Sequence, residues 1–111
     1  MKNSYSNIFT FNKKTLRKSI KYLNNKKVAG LPTETVYGLG ADAMNKKATN
    51  RIFEIKKRPK NHPLIVHVAS VDMAKKIVDD WPQLADKLAN KFWPGPMTLV
   101  FKKNNLLPEC V

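Results

Sequence analysis

Apolar residues recur along the chain with two kinds of spacing, and each kind predicts its own elements. Apolar positions three or four residues apart, with lysine, arginine and other polar residues between them, predict helices. Short runs of consecutive apolar residues predict strands. In chain order the pattern predicts a basic helix over 13–25, a strand over 28–31, a helix over 45–57, a strand over 64–69, a helix from 70, a helix over 82–92 and a strand over 97–101.

The same spacing predicts which helical side chains face the core. Asn45 and Ser70 are residue types that cap helix N-termini, so we expect helices to begin just after them. The side chains predicted to face inward are Leu16, Ile20 and Leu23 in the first helix, Ala48, Ile52 and Ile55 in the second with Phe53 beside them, Met73, Ile77 and Val78 in the third, and Leu84, Leu88 and Phe92 in the fourth.

The order of the elements predicts one α/β domain, in which helices pack on a parallel or mixed sheet. Three or four strands in 111 residues make an incomplete sheet, so we expect residues 1–111 to be part of a larger fold. Residues 1–12 lack a clear period. Their apolar members, Ile8, Phe9 and Phe11, predict a docked arm or a short edge strand.

Composition narrows the class of protein. With 42% apolar and 26% charged residues, the chain should bury a small core and is not a disordered tail. No run approaches the roughly 20 apolar residues of a membrane span, and the N-terminus is polar, so we expect a cytoplasmic protein without a membrane partner. Cys110 cannot form an internal disulfide. His62 and His67 lack a neighbouring cysteine or acidic cluster, so no protein-bound metal is predicted.

Positive charge is concentrated in the first half. Residues 1–60 contain 15 lysines and arginines and three acids, whereas residues 61–111 contain six and five, which together give the net charge of +13. Such a field favours a polyanion such as a nucleotide or RNA. A lysine-rich surface that serves only solubility remains the alternative.

Candidate chemistry begins in the loop over 31–43. Thr33, Glu34, Thr35 and Tyr37 bring two hydroxyls, a carboxylate and a phenol to a segment whose proline and glycines allow tight turns. This is more polar chemistry than a plain connector needs. An ordinary turn, in which the threonines satisfy backbone groups, is the other interpretation.

Three further residues are candidates for binding an anion or a small polar substrate. Lys56 and Arg58 stand where a predicted helix ends, and a mobile ammonium with a planar guanidinium suits a polyphosphate. His67 stands near the end of the predicted strand over 64–69, the edge where α/β sheets place ligands. A solvated helix terminus and a core histidine are the respective alternatives.

Four segments in this order resemble the YrdC-like threonylcarbamoyl-AMP synthase family. They are Pro32 to Gly40, Lys56 to Pro59, Asn61 to His67, and Trp93 to Leu99. The resemblance covers about residues 10–111. It implies a YrdC/RibB-like α/β fold, a twisted mixed sheet with helices packed on it, of which this chain holds the N-terminal portion, truncated after its first half.

The resemblance also implies a reaction and its binding residues. Members of the family condense L-threonine, bicarbonate and ATP into threonylcarbamoyl-AMP and pyrophosphate, with Mg²⁺ accompanying ATP. No residue is assigned as an acid, base or nucleophile, and no metal is expected on protein side chains. The implied contacts are Lys56, Arg58 and His62 for ATP, Thr35 and His67 for L-threonine, and Thr33, Tyr37 and Gly38 in the supporting loop.

The implied partners lie in tRNA modification. The product feeds proteins that transfer the threonylcarbamoyl group to tRNA, and the positive surface is implied to bind tRNA or double-stranded RNA. The family's domain continues through a Ser-x-Asn motif that residues 1–111 do not contain. A second function is therefore kept open: a catalytically incomplete relative that retains only RNA or nucleotide binding.

Overall fold

The computed structural model describes residues 7–111, which form four helices and a two-stranded sheet. All four predicted helices are present, although the third is shorter than expected. None of these four is both long and apolar enough to cross a bilayer. The elements are α1 (Lys13–Asn24), β1 (Ala29–Leu31), β2 (Gly38–Gly40), α2 (Lys46–Lys56), α3 (Val71–Lys75) and α4 (Gln83–Phe92).

Side-chain caps fix where three of the helices begin. The Asn45 side chain accepts a hydrogen bond from the Ala48 amide at 3.1 Å, and the Ser70 hydroxyl accepts one from the Met73 amide at 3.1 Å. Both caps are confirmed as predicted. Asn12 caps α1 in the same way, as part of a capping box.

The predicted arm over residues 1–12 is only partly described. Residues 1–6 lie outside the described part of the chain. Residues 7–11 form no strand, and the Lys18 ammonium lies 3.7 Å from the centre of the Phe9 ring. This cation–π contact joins the segment before α1 to the surface of that helix.

The sheet is an antiparallel pair in which Ala29 faces Gly40 and Leu31 faces Gly38. β1 confirms the predicted strand over 28–31. β2 lies inside the segment predicted as a loop. Its Gly-Leu-Gly sequence has little intrinsic preference for a strand, so the pattern does not predict one there. The loop over 32–37 is consequently the connection of a hairpin.

The predicted strands over 64–69 and 97–101 are wrong, since neither belongs to a sheet within residues 7–111. Burial still alternates along the first of them: Leu64, Val66 and Val68 are half buried and the residues between them are exposed. Alternation is typical of a strand with one packed face. A neighbouring backbone to complete the hydrogen-bonded ladder is absent from the described residues.

The core is small and rich in alanine. Its large members are Ile52, Phe53 and Leu107, and Ala85 and Ala89 form the buried stripe of α4. In α4 the small residues, rather than the large apolar ones beside them, face the core, which rotates the buried stripe relative to the prediction. Six side chains that were predicted to face inward are exposed instead: Leu16, Ile20, Ile55, Met73, Leu84 and Phe92.

Candidate functional site

The loop over 32–37 exposes all of its side chains. Thr33 orders it from within, because its hydroxyl donates to the Val36 carbonyl oxygen and accepts from the Thr35 amide at 3.3 Å. The Thr35 side chain and the Tyr37 ring, which is 80% exposed, therefore stand on an organised turn and are accessible to a ligand.

The end of α2 turns sharply after Lys56. Lys57 has φ 49° and ψ 37°, the left-handed conformation in which many helices terminate. The Arg58 guanidinium then donates from Nε to the His62 carbonyl oxygen and from Nη2 to the Pro63 carbonyl oxygen, each at 2.9 Å. These bonds use two of its five N–H donors, which leaves three that can bind an anion.

A groove of about 830 Å³ lies between the segments over 63–71 and 93–101. Its walls are mostly apolar, and its titratable side chains are His67, Glu34 and Lys103. The Lys103 ammonium donates to two backbone carbonyl oxygens near the end of the chain, at 3.2 and 2.8 Å. His67 and Glu34 are therefore the titratable groups with which the groove could bind a small polar ligand, beside the neutral Asn90 and Thr98 side chains.

The structure brings together only part of the predicted site. Of the eight site residues, His67 alone lines the groove. Glu34, a loop residue to which no role is predicted from sequence, brings the β1–β2 loop to the groove. Arg58 is joined to the groove through its bond to Pro63, which lines it. The structure does not place the Lys56, Thr35 or other predicted side chains in it.

The turn after α4 forms one end of the groove. The Trp93 indole Nε1 donates to the Met97 carbonyl oxygen at 2.8 Å, and the Trp93–Pro94 peptide bond is cis. A Cβ on Gly95 would lie 2.5 Å from the Phe92 carbonyl oxygen. The turn therefore requires glycine at this position, which accounts physically for part of the Trp-Pro-Gly-Pro motif.

Comparisons with known proteins identify the family of the chain. The family model Sua5_yciO_yrdC, described as telomere recombination, matches residues 21–111. The threonylcarbamoyl-AMP synthase of Pyrococcus abyssi is 44% identical over 90 residues, which are 81% of this chain and 26% of that protein. The threonylcarbamoyl-AMP synthase of Bacillus subtilis is 45% identical over 78 residues, 70% of this chain and 22% of that protein. The chain thus spans about a quarter of these relatives.

Solved structures confirm the α/β fold class. A P. abyssi Sua5 variant superimposes with a TM-score of 0.87 at 41% identity, over 90% of this chain and 31% of that one. P. abyssi Sua5 described as complexed with L-threonine gives a TM-score of 0.86 at 40% identity, over 92% and 30%. The matched residues, the identities and the shared fold together place the chain in the Sua5/YciO/YrdC family.

Proposed function

We propose that the chain forms the threonine-side portion of a threonylcarbamoyl-AMP synthase, a nucleotidyltransferase that acts on L-threonine, bicarbonate and ATP. The observation that carries this proposal is the path from α2 to the groove. Arg58 binds the backbone at residues 62 and 63, and the chain then runs directly into the segment of His67. An anion-binding helix end and a polar group in a groove are thereby held in one short segment.

The chemistry needs anions to be positioned. The threonine amine first condenses with bicarbonate, which forms the N–C bond of threonylcarbamate and releases water. In the adenylate-forming step, an oxygen of threonylcarbamate attacks the α-phosphorus of ATP, the bond from that phosphorus to the bridging oxygen breaks, and pyrophosphate leaves with the electron pair. Negative charge develops on the leaving group, so donors that are already oriented accelerate the step. Arg58, whose guanidinium is held by two backbone bonds, and the exposed Lys56 supply such donors without a covalent intermediate.

The threonine side needs neutral hydrogen-bonding groups as well as charge. Thr35, on the loop that Thr33 orders, offers a hydroxyl to the substrate's carboxylate or hydroxyl, and His67 offers a ring nitrogen from the groove. The family resemblance assigns His62 to ATP, and its carbonyl oxygen accepts a hydrogen bond from Arg58. Tyr37 and Gly38 support the loop. The solved complex of P. abyssi Sua5 with L-threonine supports threonine as the substrate class.

Mg²⁺ belongs to this proposal as the companion of ATP. Residues 7–111 hold no group of three or more histidine, cysteine, aspartate or glutamate side chains that could form a cage for it. We expect the ion to be bound chiefly by triphosphate oxygens and water, since Mg²⁺ usually keeps several waters and binds substrate phosphates. Lys56 and Arg58 would then share the remaining negative charge of the triphosphate.

Two measurements test the proposal. Threonine added to labelled full chain should shift the NMR signals of Thr35 and His67, and unchanged signals would contradict the threonine site. Pyrophosphate release that depends on threonine and bicarbonate should fall at least about a hundredfold in Arg58→Ala, the scale of losing a charged transition-state contact. Arg17→Ala, an exposed arginine on α1, is the matched control and should keep wild-type turnover. Equal turnover in both variants would remove Arg58 from the mechanism.

A second candidate function is RNA or nucleotide binding without catalysis, and the charge distribution favours it. The first 60 residues carry a net charge of +12, from 15 basic and three acidic residues. In this case the chain would bind tRNA or double-stranded RNA in a salt-sensitive manner and release no pyrophosphate. If the chain instead acts in a synthase, the threonylcarbamoyl-AMP product would pass to the proteins that modify tRNA.

A further inference from the structure

A second, separate pocket lies between α1 and α2. We name it the α1–α2 basic pocket; its volume is about 410 Å³ and four of its lining residues are Lys26, Lys27, Lys47 and Arg51. No acidic residue lines it, and it shares no lining residue with the groove that holds His67. Its volume lies within the usual range for small-molecule sites, about 300–1,000 Å³.

The backbone concentrates these cations at one place. Lys26 has φ 60°, and the amides of Lys26 and Lys27 donate to the carbonyl oxygens of Leu23 and Tyr22 at 3.0 and 3.1 Å, so the chain folds back over the end of α1. On α2, the pocket residues stand four positions apart, which is one helical turn. Both arrangements bring like charges together, a cost that a bound anion would offset.

The cations have little internal compensation. Arg51 pairs with Glu54 at 3.4 Å, and both side chains are about two-thirds exposed, at 63% and 65%. An ion pair in that setting contributes little and exchanges readily with another anion. Lys26, Lys27 and Lys47 form no ion pair in the described part of the chain.

The remaining lining residues, Tyr22, Val28 and Ile55, are aromatic or apolar. Tyr22 is 39% exposed and Ile55 is 49% exposed, and both line the pocket. The Lys27 ammonium lies 5.1 Å from the centre of the Tyr22 ring, which joins the aromatic wall to the cationic one. An aromatic surface beside a cluster of cations is the usual means of binding an unpaired nucleotide.

We propose that the α1–α2 basic pocket binds single-stranded RNA, with phosphates on the four cations and an unstacked base against Tyr22 and Ile55. A paired base reaches such a wall only by giving up its pairing and stacking, whereas a nucleotide in a loop or a single strand is already unstacked. The inference rests on the RNA-binding candidate function and locates it. It requires no step of the adenylate chemistry.

Fluorescence anisotropy with a labelled single-stranded RNA of about 12 nucleotides tests the site. The double variant Lys27→Glu/Lys47→Glu should weaken binding more than about tenfold and flatten the slope of log K against log salt by roughly 1.4, the value for two lost phosphate contacts. The matched control is Lys87→Glu/Lys91→Glu on α4, which changes the net charge equally, from +13 to +9, outside the pocket. It should weaken binding less than about threefold.

Tyr22 provides an independent test of base contact. Tyr22→Ala should weaken the affinity for single-stranded RNA at least about fivefold. Tyr22→Phe, which keeps the ring, should bind the RNA as the wild type does. Circular dichroism spectra of the variants verify that α1 is retained. A duplex of the same length should respond equally to Tyr22→Ala and Tyr22→Phe.

Several outcomes would overturn the inference. If the pocket and control double variants lose equal RNA affinity, binding is due to the overall positive charge of the first half of the chain. The RNA-binding function would then remain, but not at this pocket. Absence of RNA binding by the wild type would refute both the pocket site and the RNA-binding function. Displacement of the RNA by equimolar ATP or by inorganic phosphate would identify a site for free anions. If the wild type releases no pyrophosphate but the pocket variants still weaken its RNA binding, the inference is supported and only the catalytic proposal is refuted.

Discussion

Arg58 and Pro63 are joined by a hydrogen bond of 2.9 Å from the guanidinium Nη2 to the main-chain carbonyl oxygen. A second bond, from Nε to the His62 carbonyl oxygen, has the same length. A residue whose motif implies ATP binding thus also holds the backbone that leads to the groove. Loss of this side chain should disturb the conformation of the turn as well as the affinity for phosphate.

Arg58→Lys separates these two contributions. Lysine keeps the charge but lacks the planar fork that reaches two carbonyl oxygens at once. We expect hydrogen exchange of the His62 amide, which donates to the Pro59 carbonyl oxygen at 3.0 Å, to accelerate about tenfold, which corresponds to roughly 1.4 kcal/mol for the lost bonds. Exchange measured by NMR checks this, with Arg17→Lys as the control. If exchange stays at the wild-type rate, the two hydrogen bonds do not order the turn.

Asp86 on α4 has a carboxylate whose pKa is displaced by two hydrogen-bond donors. Its carboxylate accepts a hydrogen bond from the Lys75 ammonium of α3 at 3.0 Å, and a further one from the Trp81 indole Nε1 at 2.8 Å. The bond from Lys75, followed by that from Trp81, holds the pKa of Asp86 below its usual value. The ionised carboxylate therefore links Lys75, at the end of α3, and Trp81 to the first turn of α4.

This arrangement predicts a dependence of stability on pH. Because the pKa of Asp86 is lower in the folded state, its contribution is fully present above the unfolded pKa of about 3.9 and is lost as pH falls through the folded pKa. Urea midpoints measured from about pH 6 down to about pH 3 should fall for the wild type and fall less for Asp86→Asn. Asp72→Asn, an exposed residue of α3, is the control. If the urea midpoints of the wild type and Asp86→Asn fall in parallel with pH, Asp86 is not the origin of the pH dependence.

The helices could be predicted from the sequence because their signals are local. Asn45 and Ser70 are caps whose hydrogen bonds reach only three residues along the chain, and the structure contains both. The faces of the helices were less predictable. In α4, Leu84 is exposed and Ala85 is buried, because packing of neighbouring elements rather than residue size determines which stripe faces inward.

Strands and the site depend on residues far apart, and the sequence predicts them less well. Val66 shows the alternating burial of a strand, yet a strand requires a partner backbone, which local sequence cannot specify. His67 was singled out because it interrupts an apolar run, and it lines the groove. Glu34 gave no comparable signal, since its approach to the groove depends on the hairpin of β1 and β2.

Lys57→Gly should stabilise the chain. Lys57 ends α2 with φ 49°, a conformation that costs an L-residue about 1 kcal/mol and glycine almost nothing. Part of this gain is offset because glycine has more freedom in the unfolded state. We expect a net increase of about 0.5 kcal/mol in the free energy of unfolding, measured by urea titration. Lys57→Ala keeps the steric cost and is the control, so an equal gain from alanine would point to charge removal instead.

Gly95→Ala should destabilise the chain, since the new Cβ would lie 2.5 Å from the Phe92 carbonyl oxygen. The obstructing atom belongs to the backbone at the end of α4 and cannot move aside as a flexible side chain could. We expect a loss of about 1–3 kcal/mol, the usual cost of overpacking. Gly30→Ala is the matched control, because a Cβ on Gly30 meets nothing within 4 Å. Urea unfolding of the two variants measures this difference. Similar midpoints would mean that the turn after α4 relaxes around the new Cβ and that sterics do not require glycine there.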